Sequence, residues 1–166
     1  MVLFHRSFII SFTNSVIAGI GAAFITLIVS SLAAYSLGRL RFMGRSFVAI
    51  LIFFVYLIPP AVLMIPLYQM LLNLHLLNTR IGLILAFTTR TIPVTTWMFI
   101  TYFATLPREL EEAAMIDGCN RFGSFVRIML PLSTPALAAM AIFSFIFCWQ
   151  MYLYPLVYIT SESKIL

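Results

Sequence analysis

A chain of 166 residues that is 63% apolar and 9% charged, with a mean hydropathy of +1.08, is not built for water, because soluble domains carry about a quarter of their residues as charges. The formal net charge of +5 would suit nucleic acid only if the ten basic residues formed one patch, and they are scattered between apolar runs, which excludes that class. The composition points to an all-α fold, a polytopic bundle of membrane-spanning helices.

Charged residues are absent from 7–38, 46–79 and 128–161, and each gap exceeds the roughly 20 residues that cross a bilayer core. The first predicted span, residues 8–37, is rich in Gly, Ala and Ser, which lets helices approach closely in lipid. It is too long for the apolar core of a signal peptide. The second, 47–72, contains Pro59, Pro60 and Pro66 and is predicted to be kinked or broken, since each proline removes a backbone donor. Breaks survive in a membrane where protein or a cavity satisfies the freed carbonyls, so Pro59 reads equally as a structural kink or as part of a translocation path. The third span, 81–104, carries Arg90 roughly 13 to 14 Å from its start, counted at ~1.5 Å per residue. An ionisable group at that depth marks a functional site, unless it snorkels to the outer interface. Thr88, Thr89, Thr91, Thr95 and Thr96 offer it a polar face. The fourth span, 137–159, ends in Trp149, Tyr152, Tyr154 and Tyr158, as expected of an interfacial aromatic belt. Gln150 among them is a candidate ligand or interhelical hydrogen-bonding group.

The basic residues orient these spans. Arg39, Arg41 and Arg45 fall in the loop 38–46, and Arg108, Arg121 and Arg127 in the segment 106–135. Arg6, Arg80 and Lys164 fall on the opposite side. The basic loops are therefore expected in the cytoplasm and the N-terminus outside. Cys119 and Cys148 lie too far apart along this topology to pair and are expected as free thiols.

Within 106–135 a short helix is expected from Leu106 to a stop at Gly118, with Pro107 in its first turn and Glu109, Glu111 and Glu112 near its positive end. Gly118 tolerates the left-handed backbone of a C-terminal cap. Leu110, Ala113, Ala114 and Asp117 share one helical face, small enough to press on another protein. A second helical piece, 121–129, is expected to stop at Pro131.

The spacing of Glu112-Ala113-Ala114, Asp117, Gly118, Ile128, Leu130, Pro131 and Pro135 resembles the EAA loop of binding-protein-dependent ABC transporter permeases. Ala33-Ala34-Tyr35 with 39–45, Ile65-Pro66-Leu67-Tyr68, and Trp149, Tyr152, Pro155 and Leu156 resemble the carbohydrate-uptake class, similar to the maltose and glycerol-phosphate importers. Gln150 stands where that class more often has asparagine. The resemblance implies a single transmembrane permease domain over 1–166, an incomplete version of a six-span permease that lacks one span at each end. It implies a prokaryotic cytoplasmic (inner) membrane location, a second permease subunit, two ABC ATPase subunits and an extracytoplasmic solute-binding protein. Residues 109–119 would be the coupling helix seated on the ATPase, with Glu109 and Glu112 as polar contacts. Ile128, Leu130 and Pro131 would complete the loop, and Arg90, Thr91, Pro59 and Gln150 would flank the solute path. ATP and Mg would be bound by the partners, leaving this chain without a cofactor.

Other classes fit less well. An ABC permease for amino acids or peptides shares the EAA loop but not the flanking matches. An ion-driven secondary transporter needs intramembrane carboxylates, and the spans contain none; apart from Glu162, the acidic residues sit in the predicted coupling helix. No phosphate-binding Gly-rich loop with Lys-Ser or Lys-Thr is present. His5 and His75 are isolated, so neither a catalytic nor a metal site is expected.

Overall fold

The computed structural model describes residues 6–159, with side chains from Ile9 onward. His5, Glu162 and Lys164 lie outside the described residues, as does the side chain of Arg6. The fold is all-α, as expected: α1 (Arg6–Arg39), α2 (Arg45–Leu57), α3 (Pro60–Asn73), α4 (Arg80–Thr105), α5 (Glu109–Ile116), α6 (Arg121–Ser124), a π-helical turn (Phe125–Met129), α7 (Leu130–Leu132), α8 (Thr134–Gln150) and α9 (Leu153–Tyr158).

Helices α1 and α4 are long and apolar enough to cross a membrane unaided. At ~1.5 Å per residue they reach about 51 and 39 Å, against a core of about 30 Å. They pack along each other, and α8 lies against α1. Small residues permit this approach: a Cβ at Gly21 would stand 2.8 Å from Cδ1 of Ile84 on α4, and one at Gly19 would stand 3.0 Å from the Phe145 ring on α8. Hydroxyls hold the seam. Thr26 and Thr91 share a hydrogen bond of 2.6 Å, Ser30 donates to the Ile92 carbonyl at 3.2 Å, and Thr95 meets Ser144 at 3.4 Å. In hydrocarbon, where water cannot compete, such bonds bind helices to each other at roughly 0.6 kcal/mol apiece.

The second apolar run does not form one continuous span. Its two halves, α2 and α3, meet at 100° across Ile58 and Pro59. With 13 and 14 residues, each is only about 20 Å long. Two consecutive prolines explain the break: neither Pro59 nor Pro60 has an N–H to give the preceding turn. Helix α2 is held on α4 by the Trp97 indole, which donates to the Ala49 carbonyl at 3.1 Å, and by an edge-on Phe53–Trp97 contact at 5.2 Å.

The fourth predicted span needs a larger correction. Its helix begins at Thr134, with Pro135 in the first turn, and ends at Gln150 rather than near 159. A continuous helix would drive the Pro155 ring into the Met151 carbonyl, so the chain breaks there and resumes as α9. The aromatic belt is also only half right. Trp149 and Tyr152 are exposed, but Tyr154 and Tyr158 are each 1% exposed in the core, and Tyr158 donates to the Met64 carbonyl at 3.3 Å. Nor does Pro131 stop the preceding helix. A π-helical turn closes on Leu130, whose N–H reaches back to Phe125, and Pro131 occupies the first turn of α7, where its missing N–H costs nothing. The bend comes after Leu132, where 121–132 and α8 meet at 77°.

Candidate functional site: the loop at the α5 end

Helix α5 begins at Glu109, two residues beyond Pro107, with its three glutamates in the first turn, where the helix dipole favours negative charge. It ends as expected. Gly118 has φ +89°, its N–H reaches the Met115 carbonyl at 3.2 Å, and the Cys119 N–H reaches the Ala114 carbonyl at 2.9 Å. This is the Schellman arrangement that satisfies the last carbonyls. Asn120 then starts α6, its side chain accepting the Gly123 N–H at 2.7 Å.

The face predicted for docking is divided. Leu110, Ala113 and Asp117 are exposed together with Glu109 and Glu112, but Ala114 is buried and turns toward the bundle. The exposed apolar surface is extended instead by Ile116, at 86% exposure, and Phe122. Ile128 and Leu130 are half-buried and Pro131 is exposed in the π-turn and α7 that follow.

The inward side of α5 carries a group that sequence reasoning missed. Glu111 is buried, and its Oε1 lies 3.2 Å from Nε of Arg39, the last residue of α1. The N–H is not aimed at that oxygen, so the contact is an ion pair rather than a hydrogen bond. Arg39 also donates through Nη2 to the carbonyls of Phe103 and Leu106, at 2.5 and 2.6 Å. These carbonyls lie at the end of α4, where a helix runs out of backbone donors; that of Phe103 also accepts the Leu106 N–H at 3.2 Å. Tyr35, one turn before Arg39, donates to Glu111 Oε2 at 3.3 Å and to the Arg121 carbonyl at 3.1 Å. One cluster therefore clamps the ends of α1 and α4 to both α5 and α6. The signal for it was available in the Tyr35–Arg39 spacing of four, which puts both side chains on one face at the end of a span.

The residues suggested for a solute path are not gathered in one place. Arg90 is buried against the α2–α3 break, where Nη1 donates to the carbonyls of Tyr56 and Ile58 at 3.1 and 2.7 Å. Its guanidinium also lies 5.1 Å from the centre of the Tyr56 ring. It is enclosed by protein. Thr91 is turned the other way, wholly buried against Thr26 of α1, and Thr95 and Thr96 are equally enclosed. Pro59 is exposed at the break, and Gln150 is exposed at the far end of α8 beside Trp149 and Phe12. No group of His, Cys, Asp or Glu able to hold a metal occurs among the described residues, and Cys119 and Cys148 are both free.

The sequence model of the family described as binding-protein-dependent transport system inner membrane component matches residues 26–162. The chain is 41% identical over 152 residues to the arabinooligosaccharides transport system permease protein AraQ of Halalkalibacterium halodurans, covering 92% of this chain and 54% of that protein. It is 35% identical over 149 residues to the trehalose/maltose transport system permease protein MalG of Thermococcus litoralis, covering 90% and 54%. In structure it resembles a chain of a bacterial ABC transporter involved in the import of the acidic polysaccharide alginate, with a TM-score of 0.86 at 28% identity, covering 99% of this chain and 57% of that one. The chain thus spans about half the length of the curated relatives it matches.

Proposed function

This chain belongs to the family of binding-protein-dependent ABC transporter permeases, and from that premise we propose that it is a membrane-spanning subunit of a carbohydrate importer. A sugar or related solute would be delivered by an extracytoplasmic binding protein and moved between this chain and a second permease subunit. Two ATPase subunits, which bind the ATP and Mg2+, would supply the work from the cytoplasmic side, where the loops 38–46 and 106–135 face. The carbohydrate class is supported by the relatives, whose names refer to arabinooligosaccharides and to trehalose and maltose.

The observation that carries the coupling role is the two-sided character of α5. Its outer side offers Glu112, Ala113, Leu110 and Ile116 to a partner, while its inner side is fixed by Glu111 to Arg39, and through Arg39 to the ends of two spanning helices. A push on α5 is thereby delivered to α1 and α4 together, as a rigid-body displacement of packed helices requires. The clamp is made of charge-assisted contacts in a water-poor place, so it is stiff as well as strong.

Co-purification with tagged ATPase subunits tests this reading. Glu112→Lys, on the exposed side of α5, should abolish or sharply weaken association while leaving the spans folded. Full association and transport in that variant would overturn the assignment of α5 as the docking helix.

A further inference from the structure

A hollow of about 500 Å3 lies between the end of α1 with the loop that follows it and the elements α5 and α6, and the clamp around Glu111 borders but does not fill it. Arg39, Arg41, Arg108, Arg121, Glu111 and Glu112 line it. Arg39 and Glu111 neutralise each other at 3.2 Å. That leaves the guanidinium groups of Arg41, Arg108 and Arg121 against the single carboxylate of Glu112. None of these arginines has an ion-pair partner among the described residues. Like charges around a shared space repel unless an anion lies between them, and the planar fork of arginine matches phosphate oxygens in pairs.

Depth and surroundings identify the source of that anion. The spanning helix α1 ends in the wall of the hollow, at Arg39, which is the level where hydrocarbon gives way to headgroups. In the same wall Phe42 is 45% exposed, and Met43, next in the chain, is fully exposed. A soluble phosphate has no use for such a rim, whereas the glycerol and upper acyl region of a lipid would cover it. We propose that this hollow binds the ionised phosphate of an anionic phospholipid headgroup. Basic clusters just cytoplasmic of a spanning helix suit that role. The proposal rests on the reading above in taking this face as cytoplasmic, and does not depend on the coupling role of α5.

The test uses the assembled transporter containing this chain, purified in detergent and titrated with phosphatidylglycerol or phosphatidylcholine, with bound lipid counted by native mass spectrometry. The parent should retain phosphatidylglycerol selectively. In R41Q/R108Q/R121Q its retention should weaken by tenfold or more, on the order of a hundredfold if each basic residue contributes fully. The charge-preserving R41K/R108K/R121K should keep most of it. If the glutamine variant does not assemble, Arg41→Gln alone, in the exposed loop, should weaken retention about fivefold. Equal retention of the two lipids, or undiminished phosphatidylglycerol in the glutamine variants, would overturn the proposal. So would inorganic phosphate protecting the complex thermally where phosphatidylglycerol does not bind, which would assign the hollow to a soluble anion. Loss of ATPase association with unchanged lipid retention would overturn it too, in favour of an acidic protein surface.

Discussion

Glu111→Ala should release α5 from the bundle without unfolding the spans. In the parent, the side chains of Arg39 and Glu111 are 4% and 10% exposed and 3.2 Å apart. Removing one partner of a buried ion pair costs about 3 to 5 kcal/mol, mainly because the other charge is stranded. Here the stranded group is Arg39, and it keeps the carbonyls of Phe103 and Leu106. Tyr35 likewise keeps the Arg121 carbonyl. The low end of the range therefore applies, about 3 kcal/mol. If α5 amides exchange by local opening, a loss of that size accelerates them on the order of a hundredfold, while α8 amides keep their parental rate. Arg39→Ala should cost more, about 5 kcal/mol, since it strands the Glu111 carboxylate and takes a charged donor from the carbonyls of Phe103, which keeps the Leu106 N–H, and Leu106. The double variant should cost less than the two singles added, because no charge is left unpaired. Hydrogen exchange read by mass spectrometry on the assembled transporter measures all three. Parental exchange of α5 in Glu111→Ala, or strictly additive costs in the double variant, would refute the clamp.

Gly82→Ala should lower the melting temperature of the detergent-solubilised protein. Its Cβ would stand 2.1 Å from the Leu76 carbonyl oxygen and 3.2 Å from Thr79 Oγ1, so the start of α4 must shift and the Thr79 cap, 3.0 Å from the Gly82 N–H, is lost. The combined cost is about 2 kcal/mol or more. Gly118→Ala meets nothing within 4 Å and pays only for its left-handed backbone, about 1 to 2 kcal/mol, so ATPase co-purification should be modestly reduced. Gly118→Pro, which cannot adopt φ +89° and loses the N–H bound to Met115, should abolish it. Arg90→Leu leaves the Tyr56 and Ile58 carbonyls without their donor, at about 1 to 3 kcal/mol each. Transport in proteoliposomes should fall while ATPase association persists, and Arg90→Lys should recover only part of the loss, because an ammonium on a flexible stem does not reproduce the fork.

The long spans were legible because length and apolarity act on every residue in the same sense. Residues 8–37 and 81–104 sit inside α1 and α4, whose ends lie within two residues of those bounds. The stop of α5 was legible for a local reason, since Gly118 fixes it through φ, but its start was not: Pro107 was expected in the first turn, and the helix begins only at Glu109, after Arg108. What was not legible is how a short helix is rotated about its axis. Glu111 and Glu112 are neighbours in sequence but about 100° apart around the helix. Which of them turns inward is decided by Arg39, distant in the chain. The same limit divided the face of Leu110, Ala113, Ala114 and Asp117, and placed Tyr154 and Tyr158 in the core when composition suggested an interface. Pro131 was misread because a proline is harmless in the first turn of a helix, and the π-helical turn before it supplies a new first turn.

The two buried arginines answer one physical demand. Breaking or ending a helix inside a bilayer protein leaves carbonyls that no water can reach, each costing several kcal/mol. The break after α2 exposes the carbonyls of Tyr56 and Ile58, and Arg90 takes both with one nitrogen. At the end of α4 stand those of Leu106 and of Phe103, the latter shared with the Leu106 N–H, and Arg39 takes both with one nitrogen. A cation suits each place, because a helix C-terminus carries a partial negative charge. The difference lies in what remains. Among the described residues Arg90 has no carboxylate paired with it and lies over the face of Tyr56, so backbone dipoles and a ring help balance its charge, and it serves as a pin for a bend. Arg39 has Glu111, so the α4 end is closed by a group that belongs to α5. The same chemical device therefore pins a bend at the α2–α3 break and ties one element to another at the loop, and the carboxylate on α5 is what distinguishes them.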